Sequence, residues 1–424
     1  MRFSYFVQWP IILLLVGLVN LSAVNGPFLF DDYSNLDGLE SVNQGTKSAV
    51  DFVLEGRAGP TGRPVSLATF IWNAEDFPEK PLFFKLTNLI IHLVNVLLVY
   101  GIANVLLLSV GLSRSQAKIA SLVAMFIWGI HPINQSAVFL VIQRMTILMT
   151  FFSLSAIYLF LKYRDDLKGP LSIRSIGVVL GVGLLGVLSL LSKEAGVILP
   201  LFLFVLHVTI FSNNSDEVLM VNRPISRVMS WLVINIPSLI VVLAFFYWVV
   251  FRTNPEFTNR DFNMVERLLT EPRVIVDYLS QIFIPRLSGS GLFHDDYVIS
   301  RSLWDPLSTV FSIAAIFLSA LLFILKRKTW KLASFAILFY LVGHFIESSF
   351  LNLELYFEHR NYLPSVGLAI GAGYGVVKLS AKYRPFFVIY GVLIAFLGSV
   401  NAHSWSGLDK IALLSAIENP TSVR

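Results

Sequence analysis

The chain has 424 residues, of which 55% are hydrophobic and 14% are charged, and its mean hydropathy is +0.72. A soluble domain is about one quarter charged, so this composition excludes a water-soluble globule, and the 35 Phe, 14 Tyr and 8 Trp residues exclude a disordered chain. The net charge of +5 would by itself suggest nucleic acid as a partner, but its distribution indicates a membrane topology instead. Cysteine is absent, which excludes disulfides and thiolate metal sites.

About eleven segments are apolar over the roughly 20 residues that a helix needs to cross a bilayer. This pattern predicts an all-α integral membrane protein, a single multi-span bundle. The first segment could instead be a cleaved signal peptide, since it is short and ends in small residues. In chain order the predicted spans lie near residues 9–24, 82–108, 117–131, 136–161, 175–192, 196–211, 230–251, 306–325, 332–350, 364–380 and 385–400.

The connections between these spans alternate in length and charge. Every second connection is short and basic, as at residues 326–331, whereas residues 25–81 and 252–305 form two long polar connections on the opposite side. By the positive-inside rule the short connections are cytoplasmic, so the long ones and the C-terminus face outward. We therefore expect the chemistry of the protein on the outer side.

The first outer loop is predicted to contain helices that lie at the membrane surface. Residues 36–55 and 63–76 mix apolar and polar positions, which is typical of interfacial helices. The glycine-rich stretch 56–62 predicts the turn between them.

Ionisable residues gather near the outer ends of the predicted spans. A charged side chain at membrane depth costs about 2.5 to 3.5 kcal/mol on insertion scales, so such residues are rare unless they are paired or functional. Five clusters on one face therefore predict a shared site. They are Asp31 with Asp32, Arg63, His131 with Arg144, Lys193 with Glu194, and Glu358 with His359 and Arg360.

Five sequence strings around these clusters resemble a known family. They match, in order, the membrane part of the TMTC-like O-mannosyltransferases and their bacterial relatives, which belong to the GT-C glycosyltransferases. The resemblance covers nearly the whole chain and implies a GT-C transmembrane domain over residues 1–424. Many relatives continue into tetratricopeptide repeats, and we expect no such repeat domain in this chain. The strings are FLFDDYSNL, GRPVSLATFIWN followed by LTNLIIHLVNVLL, HPINQSAVFLVIQRMTILMTFF, LLSKEAGVILPL and EHRNYLPSVGLA.

The resemblance implies transfer of a sugar from a polyprenyl-phosphate donor on the periplasmic face of a bacterial inner membrane. The acceptor would be a Ser or Thr hydroxyl of an exported protein, for example a pilin. Such an enzyme, expected to be inverting, needs a carboxylate as general base and cations for the departing phosphate. We assign the base to Asp31, with Asp32 second. The donor phosphate is assigned to Arg144, Lys193, Arg360 and His359, with Arg63, His131, Glu194 and Glu358 in support.

Several alternatives remain open from the sequence. One aspartate could cap the following helix, and Arg144 and Arg360 could pair with Glu194 or Glu358 or extend to the lipid headgroups. The oligosaccharyltransferase branch of the superfamily uses a divalent metal, but the O-mannosyltransferase branch does not, so we expect neither metal nor other cofactor. The functional alternatives are transfer to a glycan or lipid and transport of the lipid-linked sugar. Oxygen ligands for a metal would come from Asp31, Asp32, Glu194, Asp295 and Asp296.

Overall fold

The computed structural model describes residues 8–56, 59–169, 171–211, 226–251, 257, 260–286 and 297–418. These residues form α-helices joined by turns and short 3-10 segments, and a π-helical stretch, Trp231–Asn235, connects α12 to α13. In the first half of the chain the helices are α1 (Gln8–Asn20), α2 (Asp31–Leu36), α3 (Gly38–Asn43), α4 (Ala49–Leu54), α5 (Pro64–Phe70), α6 (Pro81–Ser109), α7 (Arg114–Ile130), α8 (Pro132–Phe139), α9 (Arg144–Lys162), α10 (Ile173–Ser192) and α11 (Leu199–Thr209). In the second half they are α12 (Arg227–Ser230), α13 (Ile236–Phe251), α14 (Met264–Phe283), α15 (Ser308–Leu325), α16 (Lys331–Gly343), α17 (Ser365–Lys378), α18 (Arg384–Ser404) and α19 (Leu408–Glu418).

Seven of the helices in the described part of the chain are long and apolar enough to cross a membrane, or eight if α7 and α8 count as one bent span. Three further apolar helical stretches are shorter. They are α16, α17 and the stretch Glu194–Thr209, which contains α11. The helices follow one another in the predicted order, and each predicted span corresponds to one or two of them. Of the eleven predicted spans, only seven or eight are borne out by length and composition. The long apolar helices indicate a protein embedded in a membrane.

The predicted span at 136–161 is wrong at its start. Residues 132–139 form a separate helix, α8, bent by 58° from α7, and α9 begins only at Arg144. The bend lies at His131, whose extended backbone is the conformation that a following proline favours. All eight residues of α8 are buried, so this helix lies inside the protein and not in contact with lipid.

The predicted span at 332–350 is also wrong, at its end. Helix α16 stops at Gly343, and the chain then folds irregularly until residue 357. Close packing against Pro364 requires a glycine here, because a Cβ atom on Gly343 would lie 2.3 Å from the proline ring. The irregular segment brings polar side chains, including Glu347, into the protein interior.

The first outer loop is a folded cap. The predicted helix over 36–55 is divided into two short helices, α3 and α4, and α2 precedes them, whereas the stretch 63–76 is helical as predicted. Gly59 and Gly62, in the predicted turn, both have φ +69°, which favours glycine. Apolar residues of the cap pack against residues 141–145, so the loop has its own small core. That core includes Phe28, Leu36, Leu39, Phe52, Phe70, Phe77, Phe84, Val141, Ile142 and Met145.

The second outer loop contains the amphipathic helix α14, which the hydropathy pattern does not predict. Asn263 caps its first turn, since its side chain accepts the N–H groups of Val265 and Glu266. The apolar face of α14 packs on α8, α16 and α17 through Val274 and Tyr278. Asp295 and Asp296, the alternative metal ligands, lie outside the described residues.

The topology can be tested directly because the chain has no cysteine, so each introduced cysteine is the only one. We expect Glu40→Cys to react with a membrane-impermeant maleimide in intact cells, and Lys328→Cys to react only after permeabilisation. Both positions are exposed, so accessibility within the protein does not distinguish them. Labelling of Lys328→Cys alone in intact cells would invert the topology.

Candidate functional site

Residues 140–146 join several of the predicted site segments. They comprise the turn between α8 and α9 and the first three residues of α9, and are here called the α8–α9 turn. The N–H of Ile142 donates to Asp32 Oδ1 at 2.7 Å. Three residues later, Arg63 Nη1 donates to the sulfur of Met145 at 3.2 Å. Lys193 Nζ donates to Thr146 Oγ1 at 3.1 Å. Residues of this one turn therefore contact the aspartate segment, Arg63 and Lys193, which places these groups at one end of the bundle, the end that the sequence predicts to be outer.

The two neighbouring aspartates have different environments. Asp32 is fully buried and accepts the N–H groups of Leu29 and Ile142, at 2.9 and 2.7 Å. Burial raises the pKa of Asp32 to about 6, although these N–H groups and Lys85 act in the opposite direction. Asp31 is exposed at the first position of α2. Asp31 is therefore the one of these two carboxylates that is accessible from outside the protein, and Asp32 holds the loop in place.

The backbone before Asp31 has an unusual conformation. Phe30 has φ +39°, a value that residues other than glycine rarely adopt, and its side chain does not cap α2. The alternative of an aspartate as N-cap is wrong, because both carboxylates lie in the first turn after the cap position. Sequence patterns for helix caps would not have found this arrangement.

Arg63 and Glu194, both predicted as supporting residues, form an ion pair. Nε and Nη2 of Arg63 each lie 2.9 Å from Glu194 Oε2, and Thr61 donates to the other carboxylate oxygen at 2.9 Å. About a fifth of each side chain is exposed, 21% and 19% respectively. A molecule that approaches from outside can therefore reach this pair.

Lys193 pairs with Glu347, a residue outside the predicted site. The distance from Nζ to Glu347 Oε1 is 2.6 Å. Burial alone would raise the pKa of Glu347, but Lys193 and Arg360 outweigh it and hold the pKa at about 2. The carboxylate is therefore ionised at neutral pH. A glutamate inside an apparently apolar span was the signal that could have identified it.

His359 and Arg360 lie deeper in the same region. The ring of His359 stacks on Phe357, and among the described residues its Nδ1 atom has no hydrogen-bond partner. Burial, and then the positive charge of Lys193, keep the pKa of His359 well below its ordinary value, so the imidazole is neutral. Arg360 donates to the carbonyls of Glu354 and Leu355 at 2.5 and 3.0 Å.

Arg360 has a charged neighbour outside the predicted site. Its guanidinium lies 3.7 Å from a carboxylate oxygen of Glu271 in α14. The alternative considered from the sequence was a pair with Glu194 or Glu358. Glu271 also pairs with Arg267 at 2.6 Å, so α14 contributes two charged residues to the region. Glu358 is buried in the same segment as Arg360. These contacts connect the second outer loop to the site.

Arg144 and His131 have hydrogen-bond partners other than the carboxylates of these ion pairs. Arg144 is fully buried, and its guanidinium donates to two asparagine side chains and to two backbone carbonyls. The ring of Phe70 lies 4.2 Å from its central carbon. His131 contacts the carbonyl of Ile282 at 3.1 Å beside an apolar cavity of about 440 Å³. These contacts favour structural roles for both residues, although the assignment to the donor phosphate remains a prediction.

The ion pairs and their neighbours form one group of side chains, here named the charged cluster. Its members are Arg63, Glu194, Lys193, Glu347, His359, Arg360, Glu271 and Arg267. In the described part of the chain, no group of three or more His, Asp or Glu side chains is arranged to hold a metal ion. The expectation that the protein needs no metal stays a prediction.

Comparison with known proteins adds no relationship. No protein-family model matches the chain, and no curated protein or solved structure is significantly similar to it. The GT-C resemblance of the five sequence strings therefore stays a prediction, and the function has to be argued from the site.

The Lys193–Glu347 pair gives a testable dependence of stability on pH. Because the folded-state pKa of Glu347 is lowered to about 2, its ionised form stabilises the fold above its ordinary pKa near 4.5, and this contribution is lost as the pH falls toward 2. Glu347→Gln should therefore lower the free energy of unfolding by about 3 kcal/mol at pH 7 and by less at pH 4. The melting temperature in detergent, measured at both pH values, reports this loss. Exposed Glu79→Gln is the control. An equal cost at both pH values would contradict the pairing.

Proposed function

We propose that this protein is a GT-C-type glycosyltransferase that moves one sugar from a polyprenyl-phosphate donor to a hydroxyl acceptor on the outer side of a membrane. One observation carries the proposal. Three segments that are distant along the chain contact the α8–α9 turn: the one that holds the exposed Asp31, through its neighbour Asp32, and those that hold the cations Arg63 and Lys193. Glycosyl transfer from a lipid phosphate needs both kinds of group, and it needs them where a membrane-bound donor can present its headgroup.

Asp31 is the proposed general base. In this reaction the acceptor oxygen attacks the anomeric carbon, its proton passes to the carboxylate, and the bond to phosphate breaks with both electrons on the phosphate oxygen. Attack from the side opposite to the phosphate inverts the anomeric centre. Base catalysis of this kind contributes about 10² to 10⁴-fold. Asp31 suits the role because it is exposed on a fixed turn, whereas both oxygens of Asp32 already accept backbone hydrogen bonds.

The charged cluster is the proposed site for the leaving phosphate. Lys193 and Arg63 each donate a hydrogen bond to the α8–α9 turn, and each is paired with a carboxylate, Glu347 and Glu194 respectively. A donor phosphate would compete with these carboxylates for the same cations. Cations held in position before the reaction stabilise the charge that develops on the leaving group without reorganisation. The neutral imidazole of His359, beside Lys193, would add a hydrogen bond to a phosphate oxygen.

The remaining parts of the proposal depend on the sequence resemblance. It favours a bacterial inner membrane, a periplasmic site, and a Ser or Thr hydroxyl of an exported protein as acceptor. Transfer to a glycan or lipid would use the same base and the same cations. The identity of the acceptor therefore has to come from experiment.

A flippase for the lipid-linked sugar is the second candidate, and the 58° bend between α7 and α8 is the observation that favours it. Transporters place broken helices near the bilayer midplane, in corresponding halves of the chain. Helix α7, with 17 residues, extends about 25 Å before the bend, so the break lies near the end of a full crossing. The position of the break thus supports the glycosyltransferase over the flippase.

The role of Asp31 can be tested in cells. Intact masses of exported proteins should show a sugar increment that depends on the gene, and Asp31→Asn should reduce this modification by about 100-fold or more because the base is lost. Asp37→Asn is a matched control, since Asp37 is an exposed aspartate of the same loop. Both variants should keep the wild-type melting temperature. Full modification with Asp31→Asn would exclude Asp31 as the base.

A further inference from the structure

The apolar cavity beside His131 has no part in the proposed active site. It is lined by residues of α7, α8, α14, α17 and α18, and its volume of about 440 Å³ is within the range of ligand pockets. Two of its lining side chains are more than half exposed, Phe283 at the end of α14 and Phe386 near the beginning of α18. The neighbouring exposed residues of α18, such as Ile389 and Val392, are apolar as well. The cavity is therefore open at the side of the bundle, on a surface suited to lipid.

The polar side chains in the lining are all hydrogen-bonded within the protein. Asn134 and Ser365 bond each other at 3.2 Å, and the amide of Asn134 also donates to a backbone carbonyl. Trp128 and Tyr390 donate to backbone carbonyls at 3.0 and 2.8 Å. His131 accepts one backbone N–H and contacts one backbone carbonyl. Because these groups are already paired, the cavity favours a ligand that is itself a hydrocarbon.

The dimensions of the cavity fit one acyl chain. Its lining follows one face of α17 from Ser365 to Gly375, a distance of about 15 Å at the rise of an α-helix. The hydrocarbon core of a bilayer is about 30 Å thick, so this is the depth of one leaflet. At roughly 30 Å³ for a group of the size of water, the volume holds about 15 methylene groups. A phospholipid acyl chain therefore matches the cavity in both length and volume, whereas a long polyprenyl chain would exceed it.

Cations lie at one end of the helices that line the cavity. Lys378 comes three residues after the lining residue Gly375, and Lys382 lies in the connection to α18; both are exposed. Each lysine has a tyrosine ring within about 6 Å, and tyrosine is typical of the headgroup layer. Arg114, also exposed, begins α7, which the positive-inside rule places at the same cytoplasmic end. Residues 365–407 contain no Asp or Glu, so an anionic headgroup would meet only positive charge along this segment.

We propose that this cavity binds one acyl chain of an anionic phospholipid, whose phosphate lies beside Lys378 and Lys382 at the α17–α18 connection. The cavity supplies a dry apolar wall, and the connection supplies the charge that selects the headgroup. The lipid would fill the space between α7, α17 and α18 and so join helices that otherwise leave a gap. The assignment does not depend on the proposed function, because it uses none of the residues of the charged cluster and not Asp31.

Native mass spectrometry of the purified protein tests this site. The probes are phosphatidylglycerol, which is anionic, and phosphatidylcholine, which is zwitterionic, both with the same acyl chains. We expect the wild type to retain one phosphatidylglycerol in preference to phosphatidylcholine. Gly375→Leu adds a side chain at the cavity wall, where a Cβ atom meets no other atom within 4 Å, and should weaken phosphatidylglycerol binding by about 10-fold. Gly183→Leu in α10 is the matched control, since Gly183 has equally open surroundings and does not line the cavity.

The headgroup contact has its own pair of variants. Lys378→Ala combined with Lys382→Ala should reduce the preference for phosphatidylglycerol by roughly 10-fold or more, because two cations near the headgroup layer are lost. Binding of phosphatidylcholine should change little. Lys326→Ala combined with Lys328→Ala removes the same charge from the connection between α15 and α16, whose helices do not line the cavity, and should have no effect.

Equal binding of the two lipids by the wild type, or unchanged phosphatidylglycerol binding by Gly375→Leu, would overturn the proposal. If Gly375→Leu does not fold, Ala372→Phe on the same wall gives the same answer. Displacement of phosphatidylglycerol by polyprenyl phosphate would also overturn it, because the cavity would then hold the chain of the proposed donor. Lipid binding is measured without sugar transfer, so a failure of the proposed function would leave this result unchanged.

Discussion

The two backbone hydrogen bonds that Asp32 accepts connect the first outer loop to the membrane bundle. One comes from Leu29 within the loop and the other from Ile142 in the α8–α9 turn. A buried carboxylate that accepts both bonds fixes the loop start and the turn relative to each other. The same turn contacts Arg63 and Lys193, so the position of both cations depends on this junction. The position of the exposed Asp31 therefore depends on its buried neighbour, Asp32.

The charged cluster is built from opposite charges in pairs. Arg63 faces Glu194, Lys193 faces Glu347, and Arg267 faces Glu271. Exposure decreases along this series, from about a fifth of the Arg63 side chain to none of the Arg267 side chain. Paired charges explain how so many ionisable groups are tolerated at the end of an apolar bundle. The outermost pairs are also those that an anionic headgroup would meet first.

The sequence predicted the order of the helices and most of the cluster. Hydropathy identified the long apolar helices because it reports length and apolarity, and the positions of charged residues at the ends of apolar segments pointed to Lys193 and Arg360. The partners of those cations could not be predicted, because pairs such as Lys193 with Glu347 join segments that are distant along the chain. Helix α14 was missed because an amphipathic helix has no continuous apolar run. The partners of Arg144, which include asparagine side chains and backbone carbonyls, could not be predicted because they depend on tertiary packing, which the sequence does not show.

We propose that the outer end of the bundle, around the α8–α9 turn, binds the sugar and phosphate of a lipid-linked donor. Photo-cross-linking with a polyprenyl-phosphate sugar that carries a diazirine on the sugar would detect this binding. We expect labelled peptides from residues 26–36, 140–146 and 193–194, and we expect unlabelled donor to suppress the labelling. Labelling confined to α17 and α18, or labelling that unlabelled donor does not suppress, would contradict it.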